Sequence, residues 1–236
     1  MISILVLGFF LGMRHALEAD HVAAVASLTT RTSSWGQAVR QGAVWGLGHT
    51  LMLFVFGGAA MLMNGMIPDT MASWLEFFVG IMLVGLGLDV TLRMIRDRVH
   101  YHTHKHGHEL RHFHAHSHRE DGPGAPHPEQ HAHGHDKGFP KRALMVGFMH
   151  GMAGSAVLIV LVMQQLQSPL AGLVYIALFG FGSVIGMAVL SMIIAVPLYR
   201  TRSLTWLHNG LQALIGVITI GIGIATMFGT YPGLGV

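Results

Sequence analysis

Residues 11–24 read LGMRHALEADHVAA, a run in which ionisable side chains interrupt an otherwise apolar segment. Those side chains are Arg14, His15, Glu18, Asp20 and His21. An ionisable residue inside a membrane helix costs roughly 2.5–3.5 kcal/mol, so such residues are rare and usually have a function. The surrounding segment is long enough to cross a bilayer, which takes roughly 20 apolar residues. The run therefore predicts a membrane helix with polar chemistry inside it.

The rest of the chain repeats this apolar pattern and has little that could form a water-soluble core. Of its 236 residues, 52% are hydrophobic, only 11% are charged and 31 are glycine. Such a composition is typical of membrane proteins. Six segments are predicted to span the bilayer, at about residues 2–29, 38–64, 72–95, 143–166, 170–198 and 206–229. The predicted fold class is an all-α integral membrane protein with six transmembrane helices.

The basic residues are distributed unevenly and predict the orientation of the chain. Thirteen of the 14 lysines and arginines lie in or beside the first, third and fifth loops. The positive-inside rule places these loops in the cytoplasm and both termini outside the cell membrane. The basic residues are not clustered with stacking aromatics, so no nucleic-acid partner is expected. The absence of cysteine excludes thiolate metal ligands.

A weak internal similarity relates the two halves of the chain. Residues 12–15 match 147–150 at an offset of 135, and residues 45–49 match 179–183 at an offset of 134. Three glycines of the third segment match three of the sixth at an offset of 136. Because three spans reverse the direction of the chain, this pattern predicts a 3+3 inverted repeat with the site between the halves. The alternative is six glycine-rich helices without a duplication, since small residues favour helix packing in membranes.

The polar cluster of the first segment contains the ligand types of a transition-metal site. Imidazole and carboxylate together bind first-row divalent ions. On a regular helix His15 and Asp20 lie about 140° apart and His15 and His21 about 120° apart, so one regular helix cannot converge all three. Either the helix is locally unwound or other helices share the ligands, and His49 and His150 are the candidates. The sequence predicts a metal site of His15, Asp20, His21, His49 and His150.

Other polar residues near these segments have structural interpretations. Arg14 and Glu18 are spaced i,i+4 and are predicted to form an ion pair. Thr50 and Ser155 could add oxygen contacts to the site or hydrogen bonds to its ligands. His208 lies at the start of the last span, where a histidine is easily solvated.

Two motifs resemble those of the nickel/cobalt transporter family. Residues 11–24 resemble its signature, a histidine, four residues and then Asp-His in an early transmembrane helix. Residues 46–50, Gly-Leu-Gly-His-Thr, resemble its second motif in the next helix. The better-known members are longer and carry a further acidic motif that this chain lacks. The chain is more similar to the shorter six-span relatives, which include urease-accessory-like membrane proteins and nickel/cobalt efflux proteins.

A histidine-rich loop, residues 97–140, separates the two predicted transmembrane halves, residues 1–96 and 141–236. Thirteen of the 18 histidines lie between positions 100 and 135. The composition cannot bury a core and predicts disorder, and the loop is predicted to be cytoplasmic. Many of these histidines alternate, and in an extended chain alternate side chains point the same way, so neighbours could chelate together. Auxiliary metal binding is predicted at His100, His102, His104, His106, His108, His112, His114, His116, His118, His131, His133 and His135.

Together these features favour a secondary transporter whose substrate is Ni²⁺ or Co²⁺, with Zn²⁺ or Fe²⁺ as alternatives and uptake favoured over efflux. No nucleotide-binding loop of the type G-x-x-x-x-G-K-S/T is present, and no enzymatic activity or tightly bound cofactor is expected. The expected partners are the metal ion, the bilayer and a cytoplasmic metallochaperone. Two alternatives stay open: an intramembrane His-ligated metalloenzyme, and a metal sensor or accessory subunit that does not transport.

Overall fold

The computed structural model describes residues 2–62, 68–96, 100–106, 110–116, 139–152 and 168–234. These residues form mainly helices, with two strands in the histidine-rich loop. The helices are α1 (Ile2–His15), α2 (Ala19–Thr29), α3 (Trp35–Leu62), α4 (Asp69–Arg96), α5 (Lys141–Gly151), α6 (Pro169–Arg200) and α7 (Thr205–Thr230), followed by a short 3-10 helix (Tyr231–Leu234). The strands are β1 (His100–His106) and β2 (Leu110–His116).

Four of these helices, α3, α4, α6 and α7, are long and apolar enough to cross a membrane. Large apolar side chains such as Phe181 and Phe228 are exposed on the helix surfaces, at 60% and 77%. A surface of this kind suits contact with lipid. The prediction of a helical, multi-pass membrane protein is therefore confirmed.

The number of spans stays a prediction, because the first and fourth apolar segments are not continuous helices in the described structure. The first is divided into α1 and α2. The fourth begins with α5, and residues 153–167 beyond it lie outside the described residues.

The break in the first segment has a local cause in the backbone. The Leu17 N–H donates to the Arg14 carbonyl at 2.9 Å and the Glu18 N–H to the His15 carbonyl at 3.1 Å. These i to i−3 bonds tighten and end α1. Glu18 then takes an extended backbone, and its carbonyl accepts the first bond of α2 from the Val22 N–H at 2.9 Å. Local unwinding, one of the two arrangements that the helical geometry left open, is present; the other, ligands from further helices, concerns the candidate metal centre below.

Close helix packing relates the two halves by reciprocal contacts. A Cβ atom at Gly12 would overlap the carbonyl of Phe179, and one at Gly147 would overlap the carbonyl of Trp45. In the predicted repeat Gly12 corresponds to Gly147 and Trp45 to Phe179, so the two contacts have the same pattern. Three more pairs of contacts correspond in the same way. They are Gly48–Leu144 and Gly182–Phe9, Gly46–Val184 and Gly180–Thr50, and Gly80–Gly223 and Gly87–Gly216. Reciprocal contacts are what a two-fold relation between similar units produces.

Arginine side chains tie the end of α2 to its neighbours. The Arg31 Nε donates to Asp89 Oδ2 of α4 at 3.2 Å, and the Arg142 Nη2 of α5 donates to the same oxygen at 3.1 Å. The Arg202 Nη2, just after α6, donates to the Thr32 carbonyl at 2.7 Å. These bonds fix the depth of α2 relative to α4, α5 and α6.

The histidine-rich loop contains an antiparallel hairpin of β1 and β2. In its register His100 lies opposite His116, His102 opposite His114, and His104 opposite His112. The composition predicts disorder here, whereas these residues take an extended, paired backbone, which suits a sequence that alternates with period two. Disorder stays a prediction for residues 117–138, which the structure does not describe. His108, His118, His131, His133 and His135 also lie outside the described residues.

Replacing Gly87 by Ala should lower the melting temperature of the detergent-solubilised protein, because the new Cβ would lie 2.7 Å from the Gly216 carbonyl. Overpacking of this kind costs typically about 1–3 kcal/mol. The matched control is Gly85→Ala on the same helix, where a Cβ meets no atom within 4 Å. It should keep or raise the melting temperature, since alanine favours a helix by about 1 kcal/mol over glycine. Equal melting temperatures would contradict the close approach of α4 and α7.

Candidate metal centre

The structure brings together all five residues that the sequence nominated as metal ligands. His15 ends α1, Asp20 and His21 lie in the first turn of α2, His49 lies within α3, and His150 lies in the last turn of α5. The four histidines are buried, with exposed fractions between 0% and 5%. They come from helices on both sides of the histidine-rich loop, so the site draws on both halves of the chain.

The ligand atoms form two overlapping groups. His15, His21 and His49 form one, and Asp20, His21 and His150 form the other. Within each group, one ligand atom from each residue lies within 4.8 Å of the others. His21 belongs to both groups, so the two groups share one candidate ligand.

Asp20 connects two of the histidines through its carboxylate. Oδ1 accepts the His21 backbone N–H at 2.8 Å and lies 2.8 Å from the His21 Nδ1. Oδ2 lies 2.9 Å from the His150 Nε2. A carboxylate bonded to one nitrogen of an imidazole orients the ring and increases its strength as a metal ligand through the other nitrogen. In the geometry shown, Asp20 orients two rings, and it is also close enough to contribute an oxygen ligand.

The remaining ring nitrogens have no hydrogen-bond partner among the described residues. They are Nε2 of His15, Nε2 of His21, Nδ1 of His150 and both nitrogens of His49. A buried polar atom without a partner costs about 1–3 kcal/mol. A histidine that only joins two helices would use its ring nitrogens for hydrogen bonds. These nitrogens are instead available to donate lone pairs to a metal ion.

Glu18 pairs with His15, and the predicted Arg14–Glu18 ion pair is wrong. The Glu18 Oε1 lies 2.9 Å from the His15 Nδ1. The i,i+4 prediction assumed a continuous helix, but α1 ends at His15, so Arg14 and Glu18 do not share a helix face. Glu18 is an ion-pair neighbour of His15 without the hydrogen bond that Asp20 makes to His21, and the Nε2 atoms of both rings have no partner among the described residues.

Two aromatic side chains border the site and were not predicted as part of it. The Trp45 ring, fully buried, has its centroid 5.5 Å from that of His21 and 5.6 Å from that of His150. The Phe179 ring lies 5.3 Å from that of His15. A signal was present in the sequence, since Trp45 precedes His49 by four residues and such residues share a helix face. Trp45 of the first half therefore lies against His150 of the second, and Phe179 of the second half lies against His15 of the first.

The other polar residues considered from sequence are placed elsewhere or lie outside the described residues. The Thr50 hydroxyl donates to the Gly180 carbonyl at 3.1 Å and so links α3 to α6. The His208 Nε2 lies 2.9 Å from the Gln212 Nε2, and His208 belongs to neither ligand group. Ser155 is not described by the structure.

These features define a class: a multi-pass membrane protein with a buried imidazole and carboxylate site at a break in its first apolar segment. The comparisons with known proteins agree with this class. The chain is 34% identical over 229 residues to urease accessory protein UreH of Bacillus sp. (strain TB-90). The matched region covers 97% of this chain and 92% of that protein. The chain belongs to the UreH-like branch of the nickel/cobalt transporter family, as its two motifs predicted. No protein-family model matches the chain, and no solved structure does.

Trp45 offers a local fluorescence test of the site. In a variant with Trp35, Trp74 and Trp206 replaced by Phe, Ni²⁺ should quench the remaining indole fluorescence. The ring of Trp45 contacts two of the ligands, and a paramagnetic ion at bonding distance from them would lie within a few ångströms of it. In the control variant that keeps only Trp206, which is 76% exposed, quenching at the same Ni²⁺ concentration should be much weaker. Equal quenching of the two would argue against an ion at this site.

Proposed function

We propose that the protein is a secondary transporter of a divalent transition-metal ion, Ni²⁺ or Co²⁺, and that the ion passes through the site of His15, Asp20, His21, His49 and His150. The observation that carries this proposal is the convergence of buried, unpartnered ring nitrogens at a break in a membrane segment. Unwound helices at the middle of the membrane are the usual binding sites of secondary transporters.

The broken segment supports cation binding in a second way. The last turn of α1 ends at His15, and the carbonyl end of a helix carries a partial negative charge. In transporters, the C-terminal ends of half-helices and their free carbonyls coordinate cations. The end of α1 therefore favours a positive ion at the position to which the imidazoles converge.

The ligand set and the family support nickel or cobalt as substrate. Imidazole nitrogen suits nickel, cobalt, zinc and iron, and the affinity of such a site rises from Fe²⁺ through Co²⁺ to Ni²⁺. Family membership favours Ni²⁺ or Co²⁺ over Zn²⁺ and Fe²⁺. The ion is the substrate, and no tightly bound cofactor is part of the proposal.

The reciprocal glycine contacts support a 3+3 inverted repeat with six spans. In such transporters one half moves against the other around a fixed site, which opens it to each side in turn. We place both termini outside, and the histidine-rich loop in the cytoplasm, where it would receive ions after uptake and pass them to a metallochaperone. Uptake is the direction we favour over efflux.

One observation favours a second candidate function, a metal-binding accessory subunit without transport of its own. The similar Bacillus protein is named a urease accessory protein, and that name does not state transport. The two candidates differ in one measurable property, because only a transporter moves the ion across a bilayer in the absence of other proteins.

The test is ion flux into oriented proteoliposomes that contain only this chain, with Ni²⁺, Co²⁺, Zn²⁺ and Fe²⁺ compared. We expect flux of Ni²⁺ or Co²⁺ to exceed that of the others. His15→Ala, Asp20→Ala and His21→Ala should each lower it to the level of empty liposomes while the protein still inserts, because each residue belongs to a ligand group. The matched control His208→Ala removes a histidine of the last span that is outside both groups, and it should keep normal flux.

Two outcomes would contradict the proposal. Tight Ni²⁺ binding without flux in the wild-type protein would favour the accessory subunit. Normal flux in all three ligand variants would remove this site from the pathway.

A further inference from the structure

Glu76 is a carboxylate within the apolar helix α4, seven residues after its first residue, Asp69. Its neighbours in sequence are apolar, and its side chain is partly buried. It makes no hydrogen bond or ion pair with the other residues that the structure describes. A charged group at such a position is costly and usually functional. The proposed ligand site does not account for it.

The ion pair between Arg31 and Asp89 relates the depth of Glu76 to that of Asp20. Asp20 precedes Arg31 by 11 residues, and Glu76 precedes Asp89 by 13 residues. At 1.5 Å per residue these separations are about 17 and 20 Å along two helices that run in the same direction. Asp20 and Glu76 therefore lie at nearly the same depth.

The helix that carries Glu76 shares an apolar cluster with α2. Leu75 and Val79, which flank Glu76, pack in the same apolar cluster as Ala23 and Ala24 of α2. Among the described residues, no cationic side chain pairs with Glu76.

Asp20 is the exposed edge of the ligand site. Its side chain is 30% exposed, whereas the four histidines are exposed by 5% or less. Of the five candidate ligands, Asp20 is therefore the most accessible from the protein surface. The unpartnered Nε2 of His21 lies directly behind it.

The charge of the substrate requires more than Asp20 can provide. A divalent ion carries two positive charges, and Asp20 neutralises one. The charge of Glu18 is already paired with His15. A second carboxylate in the apolar region would lower the cost of bringing the ion into the membrane.

We propose that Glu76 is a further residue of the ion pathway, which captures the divalent cation together with Asp20 at the exposed edge of the site and passes it to His21. This inference rests on the proposed transport function. Glu76 and Asp20 supply oxygen ligands and negative charge, and the buried imidazoles then replace the water that the ion still carries.

The test compares Glu76→Gln with wild type in proteoliposomes at graded Ni²⁺ concentrations. We expect the KM for Ni²⁺ to rise about tenfold with the maximal rate changed less than about twofold, since a charge at the rim of a site acts mainly on capture. Glu76→Asp keeps the charge and should recover part of the loss. The matched control Asp69→Asn makes the same charge change at an exposed position of α4 and should keep the wild-type KM.

The melting temperature separates a pathway role from a structural one. Without metal, Glu76→Gln should melt at the same temperature as wild type or higher, because it removes an unpaired charge from the apolar region. A lower melting temperature together with lost flux would show a structural role and overturn the inference. If the wild-type protein transports Ni²⁺, a KM of Glu76→Gln equal to that of Asp69→Asn would also overturn the inference. Absence of flux in wild type would instead contradict the proposed function.

Carbodiimide labelling provides a measurement on the unchanged protein, should Glu76→Gln fail to accumulate. Dicyclohexylcarbodiimide reacts with carboxyl groups in apolar surroundings, and mass spectrometry would locate the product at Glu76. Ni²⁺ should protect Glu76 from this reaction, whereas Mg²⁺, which prefers to keep its water, should not. Equal labelling of Glu76 with and without Ni²⁺ would overturn the inference.

Discussion

The carboxylate of Asp20 is the interaction on which the rest of the site depends. It contacts an imidazole of its own helix and one of α5, so it joins the first half of the chain to the second. It can do so only because α1 ends at His15 and the backbone at Glu18 is extended, which turns the first residues of α2 toward α5. The glycines of α5 complete the arrangement, since Gly147 and Gly151 allow the backbone of α3 to approach closely.

The site is costly to form without an ion. Several ring nitrogens are buried without partners among the described residues, and each such atom costs about 1–3 kcal/mol. Close packing around the site, with Trp45 and Phe179 as its walls, supports this arrangement. Binding of an ion would satisfy the nitrogens and stabilise the folded state in proportion to the logarithm of its concentration over Kd.

The residues of the candidate site could be nominated from sequence because charge inside an apolar segment is a strong signal. His15, Asp20, His21 and His49 were found in this way, and His150 through the repeat. The geometry of a regular helix predicted that one helix could not hold all the ligands. The pairing of Glu18 with His15 could not be predicted without knowing where α1 ends. The surroundings of Glu76 could not be predicted without knowing how the helices pack around α4. The membrane fold followed from composition, whereas the hairpin in the histidine-rich loop did not.

The most direct test of the central claim is the position of the metal itself. Anomalous diffraction at the nickel edge, from crystals of the full chain grown with Ni²⁺, would locate the ion without reference to activity. The account predicts a peak at bonding distance from nitrogens of His21 and of at least two of His15, His49 and His150, or from Asp20. Nickel found only in the loop of residues 97–140, with none among these side chains, would contradict it.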